Sequence, residues 1–123
     1  MSGGTIAAIS ASVNKCSISG TLTKTGAPSS GRVTSDTVTF SVPVGNTGQI
    51  DFVNFIDVGT IGYESSKNGG AFSALTDGAS ITFASGDTLA VRITGASAGE
   101  SGTFTVRDYI TQQNIGTYVI TAS

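Results

Sequence analysis

The sequence predicts an all-β protein, folded as a β-sandwich of Greek-key type. Three observations lead to this prediction. No window repeats apolar residues at helical spacing over two or three turns. Short runs in which apolar and polar residues alternate recur instead, between clusters of Gly, Asn, Asp and Ser. About seven or more such runs follow one another with frequent turns, which is typical of sandwiches and barrels, and we favour the sandwich.

The N-terminal part shows this pattern most weakly. The stretches "TIAAISASV" and "CSISGTLT" predict two weak strands, and "KTGAPSSGRVTSD" has the Gly, Ser and Pro content of a loop or linker. This loop suggests a division of the chain into residues 1–35 and residues 36–123. The first part is either an N-terminal arm or a set of additional strands, and the second is the main domain.

The alternation becomes stronger from Asp36 onward. In "DTVTFSVPV", Val38, Phe40 and Val42 share one face, and Pro43 removes a ladder donor, so the strand ends there or lies at an edge. The next run, "QIDFVNF", carries apolar residues on both faces. Its register therefore stays open.

The remaining strands are separated by strong turn signals. The turn signal "NG" at 68–69 follows a predicted strand around Tyr63, and "DG" at 77–78 closes the short strand in "AFSALTDG". "SITF" and "TLAVRIT" follow, joined by "ASGD" at 84–87, and "TFTVRDYI" and "NIGTYVIT" close the chain. We expect Asp87 to be a turn residue that bonds nearby backbone amides, so that replacing it costs stability.

The composition argues against several function classes. Charged residues make up 11% of the 123 residues, the net charge is -2, and the six basic residues form no run. Nucleic-acid-binding proteins usually carry a basic patch, so we expect no nucleic-acid partner. No apolar run reaches the roughly 20 residues that span a bilayer, and "MSGGTIAAIS" does not show the basic start and long apolar core of a secretory signal. We therefore expect no membrane partner and synthesis in the cytoplasm.

The residues needed for common catalytic sites are scarce. The chain contains no histidine and one cysteine, Cys16, which removes a serine-type triad and a zinc site built on His or Cys. We expect Cys16 to be a small buried side chain and expect no cofactor and no metal. A carboxylate-dependent glycosidase stays as an enzyme hypothesis, because Asp51, Asp57 and Glu64 lie beside strands. It requires two carboxyl groups roughly 5–10 Å apart across a cleft.

Exposed aromatic residues would indicate a carbohydrate-binding surface. The chain has no Trp, and Tyr63, Tyr109 and Tyr118 lie in predicted strands. We therefore expect all three tyrosines to be buried or partly buried.

The second half of the chain resembles a known class of domains. "YESSKNGGAFSALTDGASITFASGDTLAVRITG", "GESGTFTVRD" and "IGTYVITA" are similar to immunoglobulin-like β-sandwich domains of tailed-bacteriophage virion proteins. The shared features are an "NGG-x-F" hairpin, a "DG-x-x-I-T" strand start, the "SGDTLAVRIT" strand pair and the closing "IGTY-x-I-T" strand. They cover about half of the chain.

This resemblance implies a structural role without enzymatic activity. A chain that consists of one such domain and an N-terminal arm most resembles a capsid decoration, or cement, protein. The implied partners are the major capsid protein and copies of the chain itself, with a trimer as one arrangement. The implied location is the capsid surface of a virion.

The arm is the part that we expect to bind the partner. Its candidate partner-binding residues are Thr5, Ile6, Ile9, Val13 and Ile18. The alternative function is a tail or fibre immunoglobulin-like module that binds carbohydrate on the host surface.

Overall fold

The computed structural model describes residues 13–123, which form strands and turns. This confirms the predicted all-β sandwich. The strands in chain order are β1 (Ser17–Ser19), β2 (Thr23–Gly26), β3 (Val33–Thr34), β4 (Val38–Ser41), β5 (Gln49–Val58), β6 (Gly62–Lys67), β7 (Ser73–Ala74), β8 (Ala79–Thr82), β9 (Thr88–Thr94), β10 (Ser101–Asp108) and β11 (Asn114–Ala122).

The strands form two sheets, called A and B below. Sheet A has the order β1-β4-β9-β6-β7, with β3 also paired to β9, and sheet B has the order β2-β11-β10-β5-β8. The chain passes repeatedly from one sheet to the other, as in a Greek key. The run β1-β4-β9-β6 facing β11-β10-β5 reproduces the strand order of immunoglobulin-like sandwiches.

Residues 17–34 contribute strands to both sheets. β1 pairs antiparallel with β4, β2 pairs parallel with β11, and β3 pairs antiparallel with β9. The division of the chain at residue 35 stays a prediction. The structure nevertheless shows that the stretch just before this boundary belongs to the sandwich.

The core lies between the sheets and follows from the alternation of β9, β10 and β11. Along β9 every inward position is apolar and fully buried. The same holds for Phe104 and Val106 on β10 and for Tyr118 and Ile120 on β11. Phe104 stacks on Tyr118 with ring centroids 4.9 Å apart. On the other side of the core, Phe40 stacks on Phe83 at 3.9 Å.

A β-bulge at Asn54 resolves the ambiguous register of β5. Asn54 has a φ of 58°, and the β5–β10 register shifts opposite it, between Thr103 and Thr105. The extra residue reverses the alternation. Ile50 and Phe52 before the bulge and Phe55 after it therefore all reach the core.

Candidate functional site

The residues predicted to bind a partner lie partly outside the structure. Thr5, Ile6 and Ile9 are outside the described residues. Val13 is half-buried, and Ile18 on β1 is half-buried against the core, close to Gly116 of β11. Ile18 thus already packs within the sandwich, and the partner-binding role of all five residues stays a prediction.

One end of the sandwich is organised by a buried carboxylate, Asp108 at the end of β10. Its Oδ2 accepts hydrogen bonds from the Cys16 amide at 2.6 Å and from the Asn46 side-chain amide at 2.8 Å. Its Oδ1 accepts bonds from the amides of Ile110 at 2.8 Å and Thr111 at 3.1 Å. We call this group, with Asn14, the Asp108 junction.

Asn46 completes the junction from the β4–β5 loop. Its side-chain amide also donates to the carbonyl of Asn14 at 3.0 Å, and its Oδ1 accepts from the Gly48 amide at 2.8 Å and from the Cys16 thiol at 3.4 Å. Three separate segments of the chain are therefore fixed to one another. They are the stretch before β1, the β4–β5 loop and the β10–β11 turn.

The surroundings of the junction shift the pKa values of Asp108 and Cys16. Burial alone would raise the pKa of Asp108, but the hydrogen bonds from Cys16, Thr111, Asn46 and Ile110 outweigh it and hold the pKa below its ordinary value. Burial, followed by the negative charge of Asp108, raises the pKa of the Cys16 thiol to about 11. The prediction that Cys16 is buried is confirmed. A thiol with this pKa stays protonated at neutral pH and is a poor nucleophile.

The loops at this end expose apolar side chains. Val44 in the β4–β5 loop is fully exposed, and Tyr109, which is 47% exposed, and Ile110 lie in the β10–β11 turn. The expectation that every tyrosine is at least partly buried holds for Tyr63 and Tyr118. It was wrong for Tyr109, because β10 ends at Asp108 and Tyr109 already belongs to the turn.

The second half of β5 is open on one side. β8 pairs with β5 only from Gln49 to Phe52, so residues 53–58 pair with β10 alone within the described part of the chain. We call residues 53–58 the open edge. Its outward side chains include Ile56 and Val58, which are 62% and 53% exposed.

The outer face of sheet B is rich in hydroxyl groups and poor in charge. Strand alternation places two charged side chains on its strands, Asp51 and Arg107, which pair at 3.5 Å near the Asp108 end. Val119 and the outward side chains of the open edge add apolar area. We call this surface the threonine face, after the seven threonines that it carries: Thr23, Thr25, Thr82, Thr103, Thr105, Thr117 and Thr121.

A cleft of about 470 Å³ opens between the sheets beside the open edge. Phe55 and Asp57 of β5, Tyr63 and Glu64 of β6 and Asp77 of the β7–β8 segment are among its lining residues. The structure thus brings together two of the carboxylates considered for catalysis. It places the third, Asp51, on the threonine face instead.

Two of the three cleft carboxylates, Asp57 and Glu64, already have partners within the protein. Asp57 accepts a hydrogen bond from the Tyr63 hydroxyl at 2.6 Å, and Glu64 pairs with Arg92 at 2.7 Å. Burial, followed by the bond to Asp57, raises the pKa of Tyr63 above its ordinary value, so its hydroxyl stays a donor. Within residues 13–123, no three Asp, Glu or Cys side chains form a group suited to a metal ion.

The turn residue Asp87 is placed as predicted. Its carboxylate accepts a hydrogen bond from the Ala84 amide at 2.8 Å, and its backbone amide donates to the Ala84 carbonyl. The hydrogen bond from the Ala84 amide, followed by one from the Asn68 side chain, lowers the pKa of Asp87. Gly86 has a φ of 91°, which glycine adopts without strain. The "SGD" stretch is therefore a turn held by its own hydrogen bonds.

The Asp108 junction was missed by the sequence reasoning, although a signal was present. The inward positions of β10 recur every second residue, through Phe104 and Val106, and the next one is Asp108. An ionisable side chain at an inward position predicts a buried, hydrogen-bonded group. The bulge had a comparable signal in the apolar residues on both faces of "QIDFVNF".

Comparison of the chain with protein-family models, with curated proteins and with solved structures finds no match. In residues 13–123 there is no helix with the length and apolar character needed to cross a membrane.

Proposed function

We propose that this protein is a non-enzymatic structural component of a phage virion. It decorates the outer surface of the capsid and stabilises the shell through many protein–protein contacts. The threonine face is the observation that carries the proposal, since it is a broad sheet surface with one ion pair near its end. The capsid as partner follows from the resemblance of residues 61–122 to virion domains.

The chemistry of the threonine face suits a repeated, weak contact. The cores of protein interfaces are depleted in charged residues, because each unpaired charge must lose its hydration. Threonine methyl groups and the side chains of Ile56 and Val58 supply apolar area, and threonine hydroxyls bond to either donors or acceptors. Each contact is modest, and repetition around a lattice supplies avidity.

Co-sedimentation with capsid shells tests this proposal. The full chain is mixed with shells assembled from the major capsid protein of the same genome. We expect saturable binding that Thr105→Lys weakens by about tenfold or more, because an unpaired lysine would be desolvated in the centre of the face. Val44→Lys is the matched control and should bind like the parent. Val44 lies in the β4–β5 loop, at the end of the sandwich that carries the Asp108 junction, which we call the loop end.

Two results would contradict the proposal. If the parent chain does not sediment with the shells, the protein is not a decoration protein. If Val44→Lys loses binding while Thr105→Lys keeps it, the loop end is the contact surface and the threonine face is not.

The predicted role of the N-terminal residues is tested in the same assay. Replacing Ile6 and Ile9 together by Ser removes two apolar side chains from the full chain while keeping its length. We expect weaker binding to shells and an unchanged urea midpoint. Unchanged binding would show that these two side chains do not grip the capsid.

The alternative function, a tail or fibre module that binds host carbohydrate, has one observation in its favour. Tyr109 is 47% exposed in a turn held by Asp108, and an exposed aromatic ring on a rigid loop can stack on a sugar. A glycan array probed with the full chain and with Tyr109→Ala tests it. Glycan binding lost in Tyr109→Ala, together with no binding to shells, would favour this alternative.

A further inference from the structure

We propose that the open edge and the adjoining cleft bind an extended segment of another protein, in which basic and apolar side chains alternate. The segment would add to sheet B as a further strand beside residues 53–58. This inference does not depend on the capsid, because it concerns how the isolated chain binds a peptide.

The backbone geometry provides the first argument. β8 covers β5 only as far as Phe52, and β5 then continues for six residues paired on the β10 side alone within residues 13–123. Unpaired backbone groups at a sheet edge are a template for another strand, and recognition by strand addition uses them for main-chain hydrogen bonds.

The outermost strands provide a contrast, and the stretch 114–118 of β11, which pairs with β10 alone within the described residues, has Leu22 and Ile18 packed beside its Gly116. The outermost strands β1, β2, β7 and β8 contain three, four, two and four residues. Short outermost strands are one of the ways in which proteins limit unwanted edge pairing. The open edge is longer than any of them and carries Ile56 and Val58, two of the large apolar side chains that remain exposed.

The outward side of the added strand would be apolar. Ile56 is 62% exposed and Val58 is 53% exposed, and both point to the outer face of sheet B. Neighbouring side chains on one face of paired strands lie about 5 Å apart. Apolar residues at alternate positions of the segment would therefore cover these two side chains.

The inward side of the added strand would be basic. Alternate residues point to opposite faces, so every second side chain of the segment would enter the cleft. Asp57, Glu64 and Asp77 line this cleft, and only Glu64 forms an ion pair within the described part of the chain, with Arg92. The remaining negative charge is complementary to lysine or arginine.

The test uses the isotope-labelled full chain and a peptide of about eight residues, with both ends capped, in which lysine and valine alternate. We expect backbone amide shifts in NMR spectra at residues 53–58 and slower hydrogen exchange there, with affinity that falls as salt rises. A peptide with glutamate in place of lysine should bind at least about tenfold more weakly. A peptide with the same composition but with lysines and valines in separate blocks should also bind weakly.

Variants locate the contact. Asp77→Asn removes one exposed charge from the cleft and should weaken binding about twofold to fivefold. Ile56→Lys should abolish binding, whereas the matched control Val44→Lys should leave it unchanged. Shifts confined to the loop end, equal binding of the glutamate peptide or equal binding of the block peptide would each overturn the inference.

The outcome is separable from that of the proposed function. Peptide binding at the open edge together with no binding to capsid shells would keep this inference and reject decoration of the capsid. Binding to shells that is unaffected by excess peptide would keep decoration through the threonines of the threonine face, and it would show that Ile56 and Val58 serve a different partner.

Discussion

The Asp108 junction and the open edge lie at opposite ends of one strand pair, β5 and β10, and they are built in opposite ways. At the junction, a fully buried carboxylate accepts four hydrogen bonds and fixes three segments of chain. At the open edge, the backbone is paired on one side and two aliphatic side chains face solvent.

This difference separates stability from binding. A buried charge is tolerated only when every lone pair is used, so the junction leaves Asp108 little capacity for a further ligand. The open edge contributes less to the fold because its apolar side chains gain little burial. It keeps the capacity to form new hydrogen bonds and contacts with a partner.

The largest expected effect is at the junction. Asp108→Ala should lower the free energy of unfolding by about 3 kcal/mol or more, because it leaves buried amide donors without an acceptor. Urea denaturation followed by circular dichroism measures the loss. Asp108→Asn keeps an acceptor oxygen and should fall between Ala and the parent. If Asp108→Ala is as stable as the parent, the junction is not a stability determinant.

The matched pair Ile50→Thr and Ile56→Thr compares the two halves of β5 with the same substitution. Ile50 is fully buried, so its replacement should cost about 2 kcal/mol or more, through lost burial and an added hydroxyl. Ile56→Thr should change the free energy of unfolding by less than about 0.5 kcal/mol. Urea midpoints of the two variants test this. Similar losses would show that the open edge is part of the cooperative core.

Acid should affect the junction through its lowered pKa. Because the pKa of Asp108 is lower in the folded protein than its ordinary value of 3.8, the unfolded chain binds more protons in acid. The stabilisation is complete above that ordinary value and is lost as the pH falls through the folded pKa.

Comparison with Asp108→Asn isolates this group, since the lowered pKa of Asp87 affects both proteins alike. Between neutral pH and about pH 3, the parent should lose more stability than the variant. Urea midpoints at several pH values give the two slopes. Parallel slopes would mean that Asp108 does not titrate with folding.

A smaller loss than that of Asp108→Ala or Ile50→Thr is expected at the start of the open edge, where Asn54 adopts a left-handed conformation with a φ of 58°. Asn54→Ala should cost about 1 kcal/mol, since alanine enters this region less readily than asparagine. Asn54→Gly is the control and should be close to neutral. Thermal melts of both variants measure the effect. Equal stability of Ala and Gly would show that the bulge is not held in this conformation.

The sequence determined the fold class and the positions of the main strands by itself. Alternation along "TLAVRIT" and "TFTVRD" predicts their buried faces, because a strand that packs on a core must be apolar at every second position. Turn signals such as "SGD" depend on local torsions and local hydrogen bonds, and Asp87 confirms this with its bond to Ala84.

Only the tertiary structure decided where the surfaces lie. Asp108 contacts Cys16, which is 92 residues away in the chain, and Asn46, which is 62 residues away. The cleft joins Asp57 and Glu64 to Asp77 from different strands and turns. The open edge exists because β8 stops pairing at Phe52. Alternation fixes which way a side chain points, whereas pairing between distant segments fixes what it meets.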